Sequence, residues 1–193
     1  NPNRRMRTLS ILTIILIVSS CTETTYTPKP PTYLRLELPE PTYSKYSDSC
    51  AYSFNLSNLY SVTNAPDQTN GTCHKRIDLG PLKGMAYIRY WEMTEPLAHY
   101  VNNANDEINM HKQKADNILN ETILRPKDRV YGSFFELQGD VATPFQFYLT
   151  DSTSRFLYCE VLFNSAPNYD SLRPTLDYLK RDLDEFMNTL VWK

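Results

Sequence analysis

Three histidines, four cysteines and a cluster of acids are the side chains in this chain that could do chemistry. His74 directly follows Cys73, but adjacent residues of a strand point to opposite faces, so the two would not pair as base and nucleophile. His111 recurs with Leu97, Tyr100, Val101, Ala104, Ile108 and Ala115 at three- and four-residue steps. On that stripe it is a candidate ligand or general base, and the simpler reading is a hydrogen-bonded histidine at the edge of a core. A metal site built from Cys50, Cys73 and His74 is the alternative use of those cysteines. It lacks the CxxC or HxxxH spacing that places two ligands on one face. Asp177, Asp182, Asp184 and Glu185 read as the solvated face of a terminal helix rather than a cation site. No GxSxG elbow, HExxH, Walker loop or GxGxxG is present, and five glycines leave little for a phosphate cradle. No catalytic residue, metal or cofactor is therefore expected.

Cys21 has a different context. Arg4, Arg5 and Arg7 form a basic head, followed by the apolar run from Leu9 to Val18 and then Ser19-Ser20-Cys21. Ten helical residues span roughly 15 Å, half of a hydrocarbon core about 30 Å thick. The run is too short for a permanent anchor and has the length and flanks of a secretory signal. Small residues before a lone cysteine match the lipobox of bacterial lipoproteins, which predicts cleavage of residues 1–20 and acylation (palmitate or a similar chain) of Cys21. Each buried CH₂ contributes about 0.8 kcal/mol, so two or more chains hold a domain at a membrane. Met6 is a candidate start, since Asn1-Pro2-Asn3 precede it without a methionine.

Removing residues 1–20 from the 193 leaves 173, enough for one domain. The cut takes three arginines and no acids, moving the formal charge from −2 to −5. An acidic chain without a Lys/Arg block argues against nucleic acid as a partner. Export places Cys50, Cys73 and Cys159 in an oxidising compartment. Cys50 and Cys73 flank the polar stretch 64–71 and are the expected disulfide; closing about 24 residues stabilises by roughly 3 kcal/mol. Cys159 lies in an apolar strand and reads as a buried small hydrophobe. Asn70-Gly71-Thr72 and Asn120-Glu121-Thr122 fit the glycosylation pattern, but a bacterial lipobox makes that chemistry irrelevant.

The elements that must position these groups follow from periodicity. Residues 21–32, with Pro28, Pro30 and Pro31, read as the lipidated cysteine and an extended tether. Residues 33–193 read as one α+β domain: a single antiparallel sheet with helices packed on it. Strands are expected at Tyr33–Leu38, Ala51–Leu56, Lys75–Leu79 and Met85–Trp91, and a meander at Val130–Leu137, Pro144–Thr150 and Phe156–Phe163. In Met85–Trp91 both faces carry apolar residues, which calls for cover on both sides. Helices are expected from Glu95-Pro96, capped by Thr94, and from about Leu172 to Leu190, capped by Asp170 or Ser171. The last carries Leu172, Leu176, Leu179, Leu183, Phe186 and Leu190 on one stripe. Thr150, Asp151, Asn164, Asn168 and Tyr169 cluster in two connections; local turn and cap roles explain most of them, and together they form a candidate interaction surface.

The chain resembles gliding motility lipoprotein D, the GldD family of gliding Bacteroidota. The resemblance rests on Tyr26-Thr27-Pro28-Lys29-Pro30, Tyr33-Leu34-Arg35-Leu36, Cys50-Ala51-Tyr52-Ser53-Phe54 and His111-Lys112-Gln113-Lys114-Ala115-Asp116. Its most specific part is C-terminal: Val130-Tyr131-Gly132, the run from Pro144 to Ser152, Phe163-Asn164, the run from Pro167 to Leu172, and Trp192-Lys193. His74 departs from the aromatic residue that family members often carry after the second cysteine. The resemblance implies a non-enzymatic lipoprotein needed for gliding and for the type IX secretion system, with other lipoproteins and envelope proteins of that machinery as partners. Thr22 after Cys21 lacks the Asp linked to inner-membrane retention, so an outer-membrane anchor facing the periplasm is expected. Two other classes stay open: an envelope hydrolase using His111 and a nearby acid, and a binding module for glycan or another small ligand on the tyrosine-rich faces. A deep aromatic cleft would favour the last.

Overall fold

The computed structural model describes residues 38–66, 73–163 and 169–193, with side chains in the last segment from Leu172 onward. The segment before Cys21, Cys21 itself, the tether, Asn164, Asn168 and the Tyr169 side chain lie outside that description; Asp170 and Ser171 do not cap the last helix, which starts before them and runs from Tyr169 to Thr189. So does the strand expected at Tyr33–Leu38, apart from Leu38 itself, which packs against the main core.

Two sheets replace the single sheet expected. β1 (Tyr43–Ser47), β2 (Tyr52–Ser57) and β10 (Val191–Trp192) form a small antiparallel sheet in the order β1-β2-β10. The large sheet, also antiparallel, has the order β3-β4-β5-β9-β8-β7-β6. Its strands are β3 (Ser61–Asn64), β4 (Lys75–Asp78), β5 (Gly84–Glu92), β6 (Ala115–Arg125), β7 (Val130–Gly139), β8 (Phe145–Thr150) and β9 (Arg155–Phe163). The β7-β8-β9 meander and the β4-β5 hairpin match expectation. At Gly132 of β7 a Cβ would overlap the Tyr148 carbonyl oxygen of β8, so only glycine lets these strands approach as they do.

Alternation along β5 and β9 sorts the large sheet into two faces. Ala86, Ile88 and Tyr90, with Leu157, Cys159 and Val161, are buried in the main core. The small sheet and α2 (Tyr169–Thr189) share that core. The Phe186 ring lies 3.9 Å from that of Phe54 in β2 and 5.4 Å from that of Phe147 in β8, joining all three layers. The expected α2 stripe holds: Leu176, Leu179, Leu183, Phe186 and Leu190 are buried and Leu172 is partly so. Arg125 Nη1 donates to the Met187 and Leu190 carbonyls, both at 2.9 Å, and satisfies the end of the helix.

The opposite face is covered by α1 (Leu97–His111), so cover on both sides of β5 is found. Two details differ. Pro96, in an extended conformation, occupies the position before α1, and no side chain caps the helix. The Thr94 N–H donates instead to the Tyr100 hydroxyl at 3.0 Å. The helix also ends at His111, and Ala115 opens β6. That strand is an edge with mostly exposed side chains, so it lacks the alternation by which a half-buried strand is read.

Candidate functional site

The Cys50–Cys73 disulfide is present, with Cα atoms 5.5 Å apart. Asp48 reinforces it. Its carboxylate accepts from the Cys50 N–H at 2.8 Å and the Tyr46 hydroxyl at 2.9 Å, and pairs with Lys75 Nζ at 2.7 Å. Residues 48–50 are thus tied to residues 73–75 twice, covalently and by charge. Cys159 is free and buried, and burial pushes its thiol far above the ordinary value, which leaves it unreactive.

Thr150 and Asp151 are 3% and 2% exposed, so they present no surface to a partner. They build the β8–β9 turn. Burial would raise the Asp151 carboxyl, but the N–H groups of Ser154, Thr153 and Arg155 all donate to it and hold it well below the carboxylate range. Thr150 Oγ1 donates to the Arg155 carbonyl at 2.7 Å and accepts from the Ser152 N–H at 3.0 Å. The C-terminus closes on this turn. Arg155 Nη2 donates to the Lys193 carbonyl at 2.5 Å, and Trp192 Nε1 to the Arg129 carbonyl at 3.0 Å. Much of the resemblance-bearing sequence at the C-terminal end therefore does structural work.

The acid cluster on α2 is not uniformly solvated. Asp177 is exposed, but Asp182 is 6% exposed and accepts from the hydroxyls of Tyr43 (2.8 Å) and Tyr60. Burial raises its carboxyl above the ordinary value, with the tyrosine donors opposing the rise. Tyr43 and Tyr60 come from β1 and the loop after β2, and no periodicity in the chain brings them to α2.

Among the described residues no group of three or more metal-type side chains exists, and no helix is long and apolar enough to cross a membrane. His74 Nε2 lies 3.1 Å from the Tyr90 carbonyl, and His99 Nε2 lies 3.1 Å from Asn103 Nδ2. His111 ends α1 and is half-buried.

A hollow lies between α1 and the face of β5 and β9, a half-open cleft of about 550 Å³. Ala104 and Ile108 are the buried residues with which α1 meets the sheet. Along its length the helix presents Tyr100, Asn103 and Glu107 to the space between. Trp91 and Tyr100 form an aromatic wall, with ring centroids 6.4 Å apart and planes at 53°. Phe156 lies 6.2 Å from Trp91 and 5.5 Å from Tyr100 and closes the base. Beside them Arg89 pairs with Glu160 at 2.7 Å and lies 5.9 Å over the Tyr158 ring. Burial raises the Glu160 carboxyl, and Arg89 offsets part of the rise. Trp91 and Arg89 could be read from the sequence as one face of β5; their meeting with Asn103 and Glu107 could not, because it depends on how far α1 stands from the sheet.

The chain matches no curated protein at a significant level. Among solved structures, the solution structure of cyanobacterial PsbP (CyanoP) from Synechocystis sp. PCC 6803 is similar at a TM-score of 0.49 and 12% identity. That likeness covers 85% of this chain and 100% of the other, and is too slight to bear on function. The family described as gliding motility lipoprotein GldD matches residues 23–192, nearly everything after Cys21. The chain belongs to the GldD family of gliding motility lipoproteins.

Proposed function

We propose that this protein is an envelope lipoprotein that serves gliding motility and the associated type IX secretion machinery as an assembly or stability factor, by protein–protein contact. The observation that carries the reading is the family match across residues 23–192, which starts two residues after Cys21. The Cys50–Cys73 disulfide and the low-charge, apolar segment ahead of Cys21 support an exported domain held by acyl chains on Cys21. The anchor sits in the outer membrane and the domain faces the periplasm. The contacts are made with other lipoproteins or envelope proteins of the machinery.

Crosslinking of the lipidated protein in its native envelope, followed by pull-down, tests this reading. Gliding or secretion components should be recovered from the parent and lost from Cys21→Ala. Equal recovery from both would remove the anchor from the argument, and recovery of no such component would sink the assembly role.

A further inference from the structure

The cleft beneath α1 has the size of a small-molecule site, for which roughly 300–1,000 Å³ is usual. Its lining also has a definite chemical bias. A ring-shaped ligand can lie on Trp91 and Tyr100, which are half-buried and keep part of their surface in the cleft. Around this wall stand groups of both signs. Arg89, paired with Glu160, lines the cleft from β5, while the Glu95, Asp106 and Glu107 carboxylates line it from α1 and the turn before it. A bound anion would face three carboxylates with one already-compensated guanidinium. A bound cation could use the carboxylates and the aromatic faces but not the N–H donors of Arg89 and Asn103 that also line the cleft. A neutral molecule rich in hydroxyls uses both kinds of group: it can donate to the carboxylates and accept from Arg89 and the Asn103 amide. We propose that this cleft binds a neutral saccharide, with the apolar face of a sugar ring on Trp91 and Tyr100 and its hydroxyls shared among Arg89, Asn103 and Glu107.

The choice of residues on α1 fits this use. Asn103 and Glu107, which line the cleft on α1, are polar. Large apolar side chains at these two positions would fill the space between helix and sheet and stabilise the fold by burial. The ligand class is independent of the envelope role proposed above, because a sugar can bind whether or not the chain contacts secretion components.

The test uses the full chain in a detergent without a sugar headgroup. A Trp192→Phe background leaves Trp91 as the tryptophan reporter. Maltotetraose, cellotetraose, mannotetraose and the tetramer of N-acetylglucosamine are the neutral probes; tetragalacturonate and spermidine are the charged controls. At least one neutral probe should quench Trp91 saturably. Asn103→Phe, which fills the mouth from an exposed helix position, should weaken that binding about tenfold or more without lowering the melting temperature. No quenching by any neutral probe overturns the proposal. So does unchanged affinity in Asn103→Phe, or quenching by a charged control alone.

Discussion

The two faces of the large sheet carry covers of opposite character. On one face α2 and the small sheet bury a continuous apolar core, and Phe186 touches rings of both sheets. On the other, α1 packs Ala104 and Ile108 against the sheet, with Leu97 and Val101 partly buried beside them, and leaves a cleft walled by aromatic and charged side chains. The same strands supply both environments, since alternate residues of β5 and β9 point each way. The difference shows where stability is concentrated and where the surface is left free. A face that is fully packed holds the domain together; a face that is under-packed can accept a ligand.

The sharpest way to break this comparison is to remove one anchor from each face. Phe186→Ala should cost about 3–5 kcal/mol, because it opens a cavity where three layers meet. Ile108→Ala on α1 should fall near the lower end of the range for aliphatic truncations, about 2 kcal/mol, since the cluster it joins, with Phe135, Leu137 and Val141, is small. Denaturant unfolding of both variants measures the gap. Equal losses would mean that α1 is as integral to the core as α2.

The disulfide offers a second, smaller lever on the packed side. It joins the segment entering β2 to the segment entering β4, the strand that begins at Lys75 in the large sheet. Breaking it with Cys50→Ser and Cys73→Ser together should cost roughly 3 kcal/mol by release of loop entropy in the unfolded chain. A loss well under 1 kcal/mol would indicate that the Asp48–Lys75 pair and its neighbours already hold that junction without the covalent link.

How much of this was legible in the sequence varied by element. The meander, the β4-β5 hairpin and the α2 stripe were readable because each buries one face against a large core, and burial writes its period into the chain. β1, β3 and β6 were missed because they are edge strands with polar or irregular patterns, for which pairing with a neighbour rather than side-chain burial decides the conformation. The division into two sheets was likewise invisible, since it depends on β2 pairing with Val191-Trp192 from the far end of the chain. The disulfide could be read from its loop, but the burial of Asp182 could not. An aspartate beside other acids on a helix reads as solvated until Tyr43 and Tyr60 arrive from elsewhere to donate to it. The cleft was legible only in part: Trp91 and Arg89 share a face in sequence, whereas their partners on α1 are set by tertiary packing.

Buried aspartates give the smallest and most discriminating effect, because two of them should respond to acid in opposite directions. Asp151 has its folded carboxyl held below the ordinary value of about 3.9 by the N–H donors of its turn, against the upward pull of burial. Its contribution is complete above that ordinary value and is lost as pH falls toward the depressed folded one. Asp182 in α2 is raised by burial, with Tyr60, Tyr43 and Arg181 opposing the rise. Its ionisation therefore favours the unfolded chain, and the protein loses stability relative to an uncharged variant as pH rises from the ordinary carboxylate value through the raised one. Subtracting the stability of Asp151→Asn from the parent should give a difference that grows with pH across the acid range. The same subtraction for Asp182→Asn should give a difference that shrinks with pH. Chemical unfolding at closely spaced pH values measures both slopes. If they share a sign, the hydrogen bonds from the two tyrosines outweigh burial at Asp182, and the packed face tolerates a charge that its apolar surroundings should resist.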